Sequence, residues 1–506
     1  MGDVESEQGP GLRPRPLDHV LLALAAAQPF VGFGVANRDE LSQPGRMVVY
    51  ALIVFGVLEG VLWLVTRWGS SLNGRTVALL ETWFAVSFFN YAAWLPPSID
   101  DDRRWIPVAV WTLVTALVAW LLARVGSRPA LRVGAAVWLA VSVGADLLVV
   151  ATPSLPVAAP ATHDAALPPP VPSEGPPPNI YYFVLDEYAR ADQLEIHAGF
   201  DNGAFVTRLE ELGLTVSDAA WASYPRTQVS VPSTLDMAYL AEPGAADGPD
   251  AQFAPRVAGD NAVVRRLREH GYSFVYSSGA ADQWSSCQTP LADRCLEPTG
   301  VAAGDLERAL LKQTPLSVFD LVRPPYSDPE TVLAELRTEP VREPYFLFAH
   351  VMSPHFPYRF DASCAVRDRF IVAELLSFDE RKAAYVNDVR CLNDRVERAL
   401  EQIVADDPGA VVIVQSDHGS ALFANWDRSP GAWSEAAIAD RFAVLQAIRL
   451  PAHCPAAGDV DLVNTFRVVF SCIEDQPVDL LPHRAFLWMG HDLVTLEEVD
   501  PSTFDR

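Results

Sequence analysis

Five apolar stretches lie within the first 151 of 506 residues, and they dictate that this chain is built around a membrane. They cover residues 17–36, 47–68, 76–95, 105–125 and 130–151. Each is close to the ~20 residues a helix needs to cross the hydrocarbon layer. A signal peptide would show one short apolar core and a small-residue cleavage site ahead of a soluble chain, and five runs do not fit that pattern. The first run is the least regular, interrupted by Gln28 and Pro29. With the N-terminus inside, the cytoplasmic segments hold Arg13, Arg15, Arg67, Arg75, Arg124, Arg128 and Arg132, and the outer loops hold Arg38, Arg46, Arg103 and Arg104. That excess predicts a cytoplasmic N-terminus and an extracytoplasmic remainder. Glu59 and Asp146 fall inside apolar runs. Carboxylates at that depth are either functional, for example against a lipid head group, or paired.

Charge divides the chain in the same place. Residues 1–150 carry 12 acidic and 11 basic side chains, so nearly all of the net charge of −26 belongs to residues 151–506. A domain this acidic repels phosphate backbones, which excludes nucleic acid as a partner. All six cysteines also lie there, without C-x-x-C pairs. An even count in one domain predicts disulfides formed in an oxidising compartment, with six reduced thiols as the alternative. Sequential pairing (287–295, 364–391, 454–472) is the simplest of fifteen connectivities. Residues 152–178 contain ten prolines and read as an extended, semi-stiff linker. The expected organisation is a transmembrane domain over 1–151, the linker over 152–178, and an extracytoplasmic domain over 179–506.

The second half alternates short apolar runs (180–185, 273–277, 345–349, 410–415, 442–450) with amphipathic stretches (204–212, 261–270, 381–403). Unbroken apolar strands between helices predict an α/β domain with a mostly parallel sheet covered on both faces. Ligands in such sheets bind beyond the carboxyl ends of the strands. The first strand runs into Asp186 and Glu187 (YYFVLDEYARAD), and the fourth into Asp417 and His418 (VVIVQSDHGS). Hard oxygen and imidazole donors at matching strand ends suit a metal site, although Asp and Gly are also ordinary turn residues. The third strand contributes His350 and His355 (FLFAHVMSPHFPY). His350 could simply fill the core, whereas His355 sits in a proline-flanked loop. Thr227 precedes a helical stretch expected at 231–240. It is either an N-cap or a nucleophile facing an anion at a helix N-terminus.

The motifs D-E-x-A-R-A-D, T-x-V-S-V-P, H-x-x-x-x-H and S-D-H-G, in this order after membrane spans, resemble the alkaline-phosphatase superfamily. The similarity is to its membrane-anchored, sulfatase-like branch, which includes phosphoethanolamine transferases and lipoteichoic acid synthases. The resemblance implies an alkaline-phosphatase/sulfatase-like fold behind a five-helix anchor. It implies one divalent ion held by Asp186, Glu187, Thr227, Asp417 and His418, with Thr227 as nucleophile and His355 on the phosphoryl group. Arg190 and His350 are further candidates for substrate contact, Arg190 alternatively as a structural ion pair. Mixed oxygen and nitrogen donors favour Zn²⁺ or Mn²⁺ over Ca²⁺ or Mg²⁺. Two departures stand out. No histidine occurs in 419–452, leaving His453 and His483 as later candidates, and Ser223–Tyr224–Pro225–Arg226–Thr227 puts threonine where a sulfatase needs arginine. The implied activity is transfer of a phospho-alcohol head group from a membrane lipid to a cell-envelope acceptor at the plasma membrane. A sulfatase-like hydrolase and an inactive envelope scaffold are the alternatives.

Overall fold

The computed structural model describes residues 14–36, 45–67, 73–94, 105–125, 128–151, 176–239, 255–278, 287, 291–296, 305–319, 327–371, 376–423, 433–487 and 497–499. Most of the proline-rich linker, 152–175, lies outside them. The chain divides into two compact units: residues 1–156 with 306–322, and residues 157–305 with 323–506.

The first unit contains α1 (Pro16–Ala36), α2 (Gly45–Arg67), α3 (Gly74–Phe89), α4 (Trp105–Val125) and α5 (Pro129–Ala151). Helices α2, α4 and α5 expose large apolar side chains such as Leu52, Trp63, Leu113, Val141 and Leu148, as lipid-facing helices do. Among the described residues, four helices are long and apolar enough to cross a membrane. The third expected span is not. Its apolar run is broken at Asn90, whose side-chain amide donates to Gln28 Oε1 (3.0 Å) and to the Val86 carbonyl (2.8 Å). A short 3-10 turn, Tyr91–Trp94, follows. The 16 residues of α3 rise about 24 Å, short of the ~30 Å hydrocarbon layer. Two acidic groups in this unit have basic or imidazole partners. Arg132 Nε donates to Asp18 Oδ1 (2.8 Å), and Glu59 Oε1 lies 2.8 Å from His19 Nδ1.

The second unit is built on a seven-stranded sheet. Its strands are β1 (Ile180–Leu185), β2 (Thr215–Val216), β3 (Ser273–Ser277), β4 (Arg294–Leu296), β5 (Tyr345–Val351), β8 (Val411–Gln415) and β9 (Gln446–Arg449). A separate pair comprises β6 (Tyr358–Phe360) and β7 (Val366–Ile371). The sheet order is β2-β9-β8-β1-β5-β3-β4. Five strands, β8 to β4, run parallel, and β9 and β2 close one edge antiparallel. Strand β1 is buried along its whole length. Its residues alternate between two cores: Tyr181, Phe183 and Leu185 pack on the side of helix Phe378–Asp406, and Ile180, Tyr182 and Val184 on the side of helices Ala262–Glu269 and Thr465–Ile473. A strand apolar on both faces in this way belongs at the centre of a parallel sheet. The cysteines pair sequentially, Cys287–Cys295, Cys364–Cys391 and Cys454–Cys472, with Cα separations of 5.7, 5.3 and 5.4 Å.

Candidate active site

Strand β1 pairs with β5 on one side and β8 on the other, both in parallel, so the three carboxyl ends open side by side. Asp186 and Glu187 leave β1 in a tight turn, and Glu187 takes a positive φ of 66°. Non-glycine residues occupy that region at a cost and concentrate where the surroundings over-determine them. Here the clamps are visible. The Asp186 amide donates to Val351 O (2.9 Å), the His355 amide donates to Asp186 O (3.0 Å), and the Tyr385 hydroxyl donates to Glu187 O (2.7 Å). The turn after β8 is held by Ser416, whose hydroxyl donates to His418 O (2.6 Å) and accepts from the Tyr188 amide (2.8 Å). Gly419 is required at its position, because a Cβ there would sit 2.1 Å from Asp440 O.

Thr227 opens the helix Thr227–Asp236, four residues earlier than the sequence suggests, and Arg226 holds the N-cap position. The Thr227 hydroxyl therefore does not cap its own helix. Its Oγ1 lies 3.1 Å from His418 Nε2. His418 Nδ1 lies 3.2 Å from the Gly419 carbonyl, which can only accept, so Nδ1 carries the proton and Nε2 presents a lone pair. Around that lone pair stand Thr227 Oγ1 at 3.1 Å, Asp417 Oδ2 at 3.2 Å and Asp186 Oδ1 at 3.7 Å. Four ligands around a tetrahedral zinc, each ~2.0–2.1 Å from the ion, stand roughly 3.3 Å apart. Asp186, Asp417 and His418 are all buried, and Asp186 Oδ1, Asp417 Oδ2 and the nearby His350 Nε2 have no hydrogen-bond partner. Buried carboxylate oxygens are costly when left so, and a divalent cation would satisfy them. The residues present fit the ion.

Electrostatics agree. Burial raises Asp417, and the adjacent Asp186 carboxylate adds to the rise, together pushing it up to about 7. Burial acts on Asp186 in the same direction, but His355, His350 and His418 outweigh it and hold that carboxyl low. Burial, and then the Arg441 charge, keep His418 well below its ordinary value, so it is neutral as a ligand must be. Burial would lower His355 too, but Glu187 and Asp186 reverse the sign and raise it.

Of the residues singled out from sequence, Asp186, Asp417, His418 and Thr227 converge. His350 Nε2 sits 3.4 Å from Asp186 Oδ2, and His355 Nε2 sits 3.9 Å from Glu187 Oε1. The Glu187 carboxylate is directed to Arg441, with Oε1 at 2.7 Å from Nη1. Arg190 forms a two-point pair with Asp192 (2.8 and 3.0 Å) and lies over the Trp221 ring. His453 is exposed beside the Cys454–Cys472 disulfide, and His483 Nδ1 pairs with Asp461 Oδ2 at 2.7 Å. Arg441 is the site residue that sequence reasoning missed. At the end of an amphipathic helix it reads as an ordinary dipole partner.

Fold and site together define an enzyme of the phosphotransferase and hydrolase type, with buried donors suited to a divalent metal at the carboxyl edge of a parallel sheet. A Sulfatase family profile matches residues 178–442, more than half of the chain, and the protein belongs to that family. No curated protein matches. Among solved structures, the zinc complex of the C-terminal periplasmic domain of EptC from Escherichia coli is 13% identical with a TM-score of 0.46, covering 67% of this chain and 97% of that one. The C-terminal periplasmic domain of the phosphoethanolamine transferase EptC from Campylobacter jejuni is 12% identical with a TM-score of 0.34, covering 54% and 79%. An alkaline-phosphatase superfamily protein from Vibrio parahaemolyticus is 16% identical with a TM-score of 0.41, covering 63% and 74%.

Proposed function

We propose that this protein is a membrane-bound transferase that moves a phospho-alcohol head group from a lipid to a cell-envelope acceptor through a covalent adduct on Thr227. The observation that carries the reading is Thr227 Oγ1 standing 3.1 Å from the His418 Nε2 lone pair, at the first turn of a helix and beside two buried carboxylates. Asp186, Asp417 and His418 would hold the ion, with Thr227 completing the set. Zn²⁺ or Mn²⁺ fits these donors better than Ca²⁺ or Mg²⁺. When bound, the ion supplies positive charge that favours the ionised hydroxyl and offsets charge on a phosphoryl group. Thr227 attacks phosphorus in line and the lipid alcohol departs. The acceptor hydroxyl then takes the group and restores Thr227. His355, drawn toward its charged form by Glu187 and Asp186, is suited to meet the phosphoryl oxygens.

The helices long and apolar enough to span a membrane, four among the described residues, favour a lipid donor, and the three disulfides in the catalytic unit favour an extracytoplasmic site. A cytoplasmic N-terminus, the reading of the basic-residue excess, goes with an extracytoplasmic catalytic unit when α3 and the turn after it complete a fifth crossing. Mass spectrometry of the purified protein after incubation with phospholipid tests the adduct, which is expected on the Thr227 peptide with the mass of the phospho-alcohol. Thr227→Ala is expected to cost on the order of 10³-fold in turnover, and undiminished turnover would remove the proposal. Release of inorganic phosphate or sulfate without transferred product would identify a hydrolase instead. Absence of stoichiometric metal would identify a scaffold.

A further inference from the structure

We propose that Arg441 is a positioning residue of the active site, and that its partner Glu187 is withheld from the metal, leaving Asp186 as the carboxylate ligand contributed by β1. The proposal rests on reading the Asp186–Asp417–His418 cluster as a metal site. The adjacent carboxylates diverge. Asp186 reaches His350 (3.4 Å) and His418 (3.7 Å), whereas Glu187 Oε1 meets Arg441 Nη1 at 2.7 Å and comes no nearer than 3.9 Å to His355. The positive φ of Glu187 turns the chain between them.

Arg441 is buried, and its hydrogen bonds reach three separate loops. Nη1 donates to Glu187 Oε1 and to Gly419 O (3.0 Å), and Nε donates to Pro225 O (2.7 Å). Nη2 stands 3.3 Å from His418 Nε2. Its own carbonyl accepts from the Gly419 amide at 2.7 Å. Pro225 is two residues before the nucleophile, and Gly419 directly follows a ligand. One planar fork thus fixes the spacing between Thr227 and His418, and a lysine's single ammonium cannot replace it at all three points. A buried arginine needs a buried counter-charge, and Glu187 supplies it.

The test is Zn²⁺ binding by competition with a chromogenic chelator, using the full chain in detergent. Asp186→Asn is expected to weaken binding by about 100-fold or more. Glu187→Gln, whose amide oxygen still accepts from Arg441, is expected to stay within about threefold. The double variant Glu187→Met with Arg441→Met removes the pair together and so leaves no lone buried charge; it is expected to retain the ion within about tenfold. Loss of Zn²⁺ in Glu187→Gln matching that of Asp186→Asn, or retention in Asp186→Asn, overturns the assignment. For the positioning role, Co²⁺ is substituted and its visible bands recorded. Arg441→Lys is expected to shift the bands in protein that still unfolds cooperatively and still binds Co²⁺, and unshifted bands overturn it. Neither readout uses turnover, so failure of the Thr227 transfer reading would leave these results interpretable.

Discussion

At the scale of single residues, the site is a charge problem awaiting a cation. Asp417, pushed up to about 7 by burial and by Asp186, keeps its proton in the ion-free fold at pH values where the unfolded chain, near 3.9, has lost it. Its contribution to stability is therefore complete below about pH 4 and gone above about pH 7. A bound cation removes this dependence. Asp440, also pushed up to about 7 by burial, accepts from Ser420 rather than joining the ligand cluster, and it titrates with or without the ion. The informative quantity is thus the difference in melting temperature between Zn²⁺-loaded and ion-free protein, which should widen from pH 5 to pH 8. A constant difference would place Asp417 outside the ligand set. Gly419 gives a purely steric prediction. A methyl at 2.1 Å from the Asp440 carbonyl forces backbone apart, so Gly419→Ala should destabilise by about 1–3 kcal/mol, read as a lowered melting temperature. Asp417, His418 and Thr227 are legible in the sequence because strand ends and a polar turn point to chemistry by themselves. Asp186 cannot be told from Glu187 there, since neighbouring residues in a turn differ only in direction. Arg441 is invisible for another reason, because its partners lie on three loops far away in sequence.

At the scale of elements, legibility follows hydrophobic pattern. The strands 180–185 and 273–277 are readable to the residue because both faces are buried. The apolar stretch 442–450 overstates its strand, since Phe442 ends the helix Glu435–Phe442 and β9 begins at Gln446. The helix at Thr227 starts earlier than its pattern suggests because Pro232 reads as a first-turn residue, yet it lies inside the helix. The third apolar run has the right composition for a span, and only the pairing of Asn90 with Gln28 reveals where its helix stops. Covalent staples act at this scale as well. Cys364–Cys391 ties the connection between β6 and β7 to the helix Phe378–Asp406 across 27 residues. Loop-closure entropy for that length is about 3.6 kcal/mol at 25 °C. Replacing both cysteines by alanine should lower the unfolding free energy by roughly 2–4 kcal/mol, measured by denaturant titration with and without reductant. Reductant should no longer act through this bridge in the variant.

At the scale of the whole molecule, the chain passes between its two compact units three times, near residues 156, 305 and 322, because residues 306–322 cluster with the N-terminal helices. By sequence position this segment belongs to the catalytic half. By contact it belongs to the membrane half: the Glu307 carboxylate accepts from Arg46 and Tyr50 of α2, Leu310 packs against Phe30 and Met47, and Gln313 O accepts from the Ala92 amide at 3.3 Å. The Arg46–Glu307 pair is part-exposed, so its coupling should be modest, about 1 kcal/mol or less. It is nevertheless testable through proximity. With cysteines at Met47 and Leu310, a short bismaleimide should join the two positions in membranes. Reversing one charge, Arg46→Glu, should reduce the yield of cross-linked product, and adding Glu307→Arg should restore it, as a double-mutant cycle requires of a direct pair. Equal yields in all four proteins would show that the segment is held by its apolar contacts alone, and absence of cross-linking throughout would place it away from α2.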